Sequence, residues 1–419
     1  MKRYFYPTDI YLPDFDRVDG NKWAVVACDQ FTSQREYWRT ARAYVDGTPS
    51  TLDLMLPEAY LDRAEEAVPL INGRMQTYLD SVLARHENTM VYLERTQSDG
   101  RIRRGVVGAI DLEDYDYTKG ASTLIRATEG TVLSRIPPRV AIRRGAVIEM
   151  PHIMILIDDP KKTVIEPVAA AASDYPMAYD FDLMAGGGHV KGRFLNGAAV
   201  DSVNEALGAL ATREAMAEKY GVEADPLLFA MGDGNHSLAT AKALYEEIKE
   251  ELGAEAAKSH SARYALCEIV NLHDDALEFE PIYRIVCGVD ADAFHAEFAA
   301  YLAALAGSAV PQEFELFHGG KTYTLTAPAP EAQLAVGTAQ DFLDAYVERH
   351  PTAEVDYIHG ADTVHALAAR EDSVAILFDG MGKDMLFKTV ICDGALPRKT
   401  FSMGHAEDKR YYVECRKIR

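Results

Sequence analysis

Apolar and polar positions alternate along this chain with two different periods, and the changes of period mark its elements. The run WAVVAC at 23 to 28 is apolar throughout and predicts a strand. DQFTSQREYW follows, with Ser33 and Glu36 at capping-box spacing, predicting a loop and then a helix. Residues 58 to 85 carry helical periodicity, 90 to 95 and 105 to 112 read as strands, and Ile153 to Ile157 reads as a buried strand before the turn DDP at 158 to 160. Tyr179, Phe181 and Leu183, then Gly186 to Gly188 and VKGRFL, predict a hairpin. Residues 200 to 220 predict one amphipathic helix, and 227 to 231 (LLFAM) a buried strand. Asp290 and Asp292 can cap a helix through Leu305, FELFHGGKTYTL predicts a second hairpin, and the tail alternates helices at 338 to 349 and 361 to 370 with strands at 373 to 378 and 385 to 392.

This mixture predicts an α/β (α+β) protein with mixed sheets. It divides into an N-terminal α/β region (1–165), a central region (166–290) and a C-terminal α+β region (291–419). A chain of 419 residues, 48% of them hydrophobic, can bury a substantial core. Its formal charge of −22 repels nucleic-acid phosphates and anionic membranes, so neither partner is expected. Five scattered cysteines without a C-x-x-C pair suggest reduced thiols and a cytoplasmic setting, and the N-terminus, broken by Pro7 and Pro13, carries no export signal.

The chemistry concentrates in LLFAMGDGNHSLATAKALYEEIKEEL, where an apolar run meets Gly232, Asp233, Gly234, Asn235, His236 and Ser237 and then a helix with Leu238, Ala241, Leu244, Tyr245, Ile248 and Leu252 on one side. A turn so placed sits at a helix N-terminus, where unpaired N–H groups and the positive end of the macrodipole stabilise an anion. The two glycines remove the Cβ atoms that would hold a phosphate away, Asn235 and Ser237 add donors, and Lys242 adds charge. The competing reading is a tight connection in which Asp233 or Asn235 merely caps the helix. The third glycine of a Rossmann fingerprint is replaced by Ser237, and Gly319 to Thr322 lacks the first glycine of a Walker loop.

Further charge is available between Lys119 and Arg144, where Arg126, Arg135 and Arg139 belong to a group of six basic residues facing one acid, Glu129. Asp29 and Glu129 are the candidate general bases, with His236 a third catalytic candidate. Arg398, Lys399 and Thr400, in a tail of seven basic and three acidic residues from 395 onward, are candidates for substrate binding. The twelve histidines show no metal-binding spacing, so no protein-built metal site is expected.

Four blocks in order resemble the bacterial and archaeal domain-of-unknown-function family 1015: Asp29 after the first apolar run, Ile125 to Thr131, Gly232 to Ser237, and Leu396 to Thr400. Its D-G-H-x-R type of turn is also similar to the phosphate loop of the ParB, sulfiredoxin and free-serine-kinase group, with Ser237 standing where that loop has arginine. The resemblance implies a ParB/sulfiredoxin-like phosphate-loop core. It also implies ATP or ADP as cofactor, with room for magnesium, and phosphotransfer to a small hydroxyl metabolite such as free serine. A non-catalytic nucleotide-binding regulator and a purely structural turn are the alternatives.

Overall fold

The computed structural model describes residues 2–150, 152–404 and 408–419. The chain forms two compact units. The first comprises residues 1–127, 131–277 and 404–419, the second residues 128–130 and 278–403. The expected first and second regions therefore share one unit, because strands drawn from both sides of position 165 pair in a single sheet.

That sheet has nine strands in the spatial order Met177–Asp182, His189–Phe194, Val91–Thr96, Ile102–Asp111, Tyr264–Asn271, Met154–Ile157, Phe229–Asp233, Ile125–Arg126 and Tyr115–Asp116. It is mixed: Met154–Ile157 runs parallel to Tyr264–Asn271 and antiparallel to Phe229–Asp233, which in turn lies parallel to Ile125–Arg126. The continuous apolar runs at 153 to 157 and 227 to 231 mark strands covered on both faces. Ile155, Leu156, Ile157, Phe229, Ala230 and Met231 are accordingly all 0 or 1% exposed. Burying one such side chain contributes about 1.5–3 kcal/mol.

The helix Asn235–Leu252 packs Leu238, Ala241, Leu244, Tyr245 and Ile248 inward, as its periodicity predicts, and ends at Gly253 with φ +83°. Leu252 alone of the expected stripe is exposed, lying past the last packed turn.

Several local expectations give way to packing. WAVVAC splits into a short helix, Gly20–Trp23, and a two-residue strand, Val25–Val26, paired with Tyr411–Tyr412. The helix Arg35–Val45 starts from Gln34 with no side-chain cap, so Ser33 does not form the expected capping box. The 58 to 85 segment is a 3₁₀ turn, Glu58–Arg63, then the helix Ala64–Ser81, and its end turns into the strand Leu83–Thr89. The expected 200 to 220 helix breaks after Leu210, where Thr212 caps a second helix, Arg213–Tyr220.

In the second unit, five antiparallel strands follow the order Lys321–Ala327, Gln312–His318, Ser373–Phe378, Glu280–Cys287 and Glu354–His359, with Phe401–Ser402 beside Glu280–Cys287. Asp290 caps the helix Ala291–Ala304 by accepting from Ala293 N–H at 3.0 Å, as its position predicts. Phe294 and Phe298 of that helix pack against Phe342 of Ala335–Arg349. Residues 385 to 392, expected as a strand, lie in the helix Met385–Asp393. Leu386, Phe387 and Val390 share a buried face there, and Gly394 ends the helix at φ +81°. The β-branched residues of the segment suggested a strand, but spacing and the terminal glycine decide for helix. No helix among the described residues is long and apolar enough to cross a membrane.

Candidate functional site

The strand Phe229–Asp233, third from one edge of the nine-stranded sheet, feeds directly into the helix Asn235–Leu252. Gly234, between them, has φ +80° and is the helix N-cap, and no side chain caps the helix. A Cβ on Gly234 would stand 3.0 Å from Ile153 Cα, and one on Gly232 would stand 3.0 Å from Leu156 Cγ. Both glycines are thus required by the fold itself: the space expected for a phosphate at those two Cβ positions is taken by the neighbouring strand. The helix end remains. Asp233 satisfies Gly234 N–H at 2.8 Å, and the macrodipole with the amides of His236 and Ser237 in the first turn can attract an anion.

Ser237, in this first turn, leads to a cluster that sequence reading missed. Its Oγ lies 3.3 Å from Nε2 of His152, a residue 5% exposed, and Asp29 Oδ2 lies 3.4 Å from the same nitrogen. His152 Nδ1 meets Tyr412 OH at 3.0 Å, and that hydroxyl accepts from Cys28 N–H at 3.2 Å. Gln30 donates to Asp29 at 3.0 Å. Burial disfavours the His152 imidazolium, but Asp29, reinforced by Asp233 and Glu58, outweighs it and raises the His152 pKa above its ordinary value. Burial pushes Asp29 the other way from its neighbours, and His152, Gln30 and Lys409 together hold its carboxyl well below the usual range. Both shifts favour the charged forms, a buried imidazolium beside a partly exposed carboxylate.

In its protonated form His152 donates from Nε2 toward Asp29 and Ser237 and from Nδ1 to Tyr412, which leaves the Ser237 proton for a ligand. A nucleophilic triad requires carboxylate and hydroxyl on opposite ring nitrogens. Here both face Nε2, so the cluster is not one.

Lys409 pairs with Asp233 at 3.1 Å. His236 has its pKa lowered by burial and by the charges of Arg139 and Arg135, and its Nε2 is buried with no hydrogen-bond partner among the described residues. Asn235 donates to Thr131 at 3.2 Å. Cys28, whose thiol burial and Asp29 push up to about 12, joins Ser237, His152 and Tyr412 on the wall of a cavity of about 190 Å³.

The basic residues expected to gather at the turn do not do so together. Arg126 is buried and donates to the carbonyls of Thr123 (2.8 Å) and Asp225 (2.9 Å), so it braces the neighbouring loop. Lys242 donates to the Leu112 carbonyl at 2.9 Å and pairs with Glu246 at 2.7 Å, one turn further along the helix. Arg139 pairs with Glu58 beside the cavity. Arg135 is exposed and has no ion pair among the described residues, while its charge reaches His236.

Glu129 groups with the second unit, its backbone bridged to Leu396. Arg398, Lys399 and Thr400 belong to that unit as well. Arg398 binds Tyr357 OH at 2.7 Å and pairs with Asp344, the Lys399 carbonyl accepts from the buried Arg284 at 2.9 Å, and Thr400 donates to the Pro397 carbonyl at 2.6 Å. The basic tail does reach the turn, but through Lys409. Among the described residues no group of three or more His, Cys, Asp or Glu is arranged to hold a metal ion.

The chain belongs to the family described as "Protein of unknown function (DUF1015)", which matches residues 14–346. No curated protein matches it. Among solved structures it is similar to a conserved hypothetical protein from Pyrococcus furiosus, at 12% identity and TM-score 0.33 over 71% of this chain and 89% of that one. A free serine kinase mutant in complex with AMP matches at 11% and 0.36, over 74% and 91%. SbnI with a C-terminal truncation, from Staphylococcus aureus, matches at 9% and 0.33, over 71% and 82%.

Proposed function

We propose that this member of a family of unknown function binds the phosphates of a nucleotide at the turn Asp233–Ser237 and transfers a phosphoryl group to a small hydroxyl metabolite. The observation that carries the reading is the uncapped first turn of the helix Asn235–Leu252, which opens through Ser237 onto the buried His152–Asp29 pair. Phosphate oxygens are acceptors only, and this corner offers donors: first-turn amides, the Ser237 hydroxyl and the His152 imidazolium, with Lys409 and Arg135 as further cations. His152 thus takes the part of the arginine that the turn lacks.

Phosphoryl transfer asks mainly for positioning and charge stabilisation. An ionised Asp29, able to accept from an approaching hydroxyl, orients that group, and its low pKa suits alignment better than strong general-base work. ATP or ADP would supply the phosphoryl group when bound, with magnesium held chiefly by phosphate oxygens.

The test is incubation with ATP or ADP, magnesium and a panel of hydroxy compounds headed by L-serine, read by phosphorus NMR. A new phosphomonoester that disappears with Asp29→Asn supports the reading. No product across the panel, together with nucleotide-induced stabilisation, would leave the non-catalytic nucleotide-binding protein as the better account. That stabilisation amounts to about 2.7 kcal/mol at a ligand concentration a hundredfold above Kd.

A further inference from the structure

The cavity that begins at Ser237 and His152 changes character away from them. One end is polar, with Cys28, Tyr412 and the Arg139–Glu58 pair. Most of the remaining lining is apolar, including Leu56, Ile71 and Met75 of the helix Ala64–Ser81, Ile142, Ile148 and Met150. A free amino acid carries an ammonium as well as a carboxylate, and burying that ammonium against such a wall without a partner is unfavourable. Glu149 is bound by both Arg143 and Arg416, the latter at 2.7 Å, so this group is net cationic and leaves no free carboxylate to meet an ammonium.

We propose that this cavity holds the apolar body of the acceptor, an alcohol bearing a hydrocarbon or aromatic group, with its hydroxyl turned toward Ser237 and His152. The inference rests on the phosphotransfer reading for the word acceptor, but the class of ligand follows from the wall. Size sets the scale. A dry apolar cavity of about 150 Å³ takes benzene, so the roughly 190 Å³ here suits a body of about six to eight carbons. Methionines at two of the wall positions give thioethers that adapt to chains of differing shape.

An adenine ring is the rival occupant, and the chemistry weighs against it. Its ring nitrogens and amine need partners when buried, at about 1–3 kcal/mol for each left unpaired. Among the described residues, beyond the polar group at Ser237, His152, Cys28 and Tyr412 and the ion-paired side chains, the lining supplies only Asn72 and Thr240 as neutral polar partners. The nucleotide base is therefore assigned elsewhere, with only the phosphates at the turn.

Titration calorimetry with 1-hexanol and with benzyl alcohol, each with and without saturating AMP, tests this on the full chain. The expected result is saturable binding at millimolar Kd or tighter, little changed by AMP. Binding should be weakened at least tenfold by Ile71→Gln and, independently, by Ile142→Gln. The two half-buried positions stand on separate helices, so loss of fold in one variant leaves the other to decide. L-serine should bind at least tenfold more weakly than either alcohol. No binding of the alcohols, their displacement by AMP, or insensitivity to both substitutions would overturn the assignment. Phosphorus NMR on the same alcohols and L-serine, each with ATP or ADP and magnesium in place of AMP, separates the two claims: bound alcohol without phosphorylated product refutes phosphotransfer while the ligand class stands, and phosphorylated serine with unbound alcohols refutes the ligand class while phosphotransfer stands.

Discussion

Removing the Asp29 charge should reverse the protonation preference of His152. The imidazole is 5% exposed, and burial by itself favours the neutral ring; the carboxylate 3.4 Å from Nε2 is what keeps it charged. At an effective dielectric of about 20 two unit charges at that distance attract by about 5 kcal/mol. The Asp29 side chain is 30% exposed, so solvent screens a good part of this, and about half, roughly 2.5 kcal/mol, is a reasonable net. Asp29→Asn keeps the shape and removes the charge, and His152 should then titrate below the ordinary histidine value of 6.5 instead of above it.

Stability follows with a definite sign. The His152 folded pKa is raised, so its contribution is complete below 6.5 and is lost as pH rises through the raised value. The Asp29 pKa is lowered, so its contribution is complete above 3.8 and is lost as pH falls through the lowered value. The pair therefore supports the fold most between those two pH values, and the variant should lose most stability there. Histidine ring resonances followed by NMR across this range give the pKa directly, and urea titrations at pH 5 and pH 8 give the stability. A His152 pKa that stays above 6.5 in Asp29→Asn would refute the reasoning.

Gly234→Ala forces a side chain into φ +80° and against the Ile153 backbone, so it should lose at least about 1–2 kcal/mol in urea denaturation. Arg126→Ala leaves the Thr123 and Asp225 carbonyls without their donor inside the fold. It should be destabilised by about 2–3 kcal/mol, with ADP-induced thermal stabilisation unchanged. Arg135→Ala, at an exposed charge, and Lys409→Ala, at one that is partly covered and paired with Asp233, should each weaken ADP binding by calorimetry, by about 0.5–1 kcal/mol. Lys242→Ala, whose ammonium serves Leu112 and Glu246, should leave ADP affinity unchanged.

The strand, turn and helix from 227 to 252 were legible because an apolar run, a glycine-centred corner and a helical stripe give independent signals that agree. Asp29 was legible through its place after an apolar run. His152 was not: it reaches Ser237 because Met154–Ile157 lies antiparallel to Phe229–Asp233, and strand adjacency across 85 positions leaves no mark in local pattern. Tyr412 and Lys409 arrive through the pairing of Tyr411–Tyr412 with Val25–Val26, a tertiary contact between the two ends of the chain. The basic stretch from 119 to 144 misled for a related reason. Neighbours in sequence, its arginines separate to different partners: Arg126 to Asp225, Arg139 to Glu58 and Arg144 to Glu247, all remote in the chain, and Arg143 to Glu149 six positions on. Segment 385 to 392 failed at the level of period, since its buried residues fit either element until the packed face is known.

The central claim is that the opening amides of the helix Asn235–Leu252 grip phosphate. Backbone amide NMR during titration with ADP, and separately with inorganic phosphate, addresses it most directly. Saturable downfield shifts at Asn235, His236 and Ser237 are predicted, accompanied by movement of the His152 ring signals. Full occupancy by ADP with those three amides and that ring unmoved would contradict it.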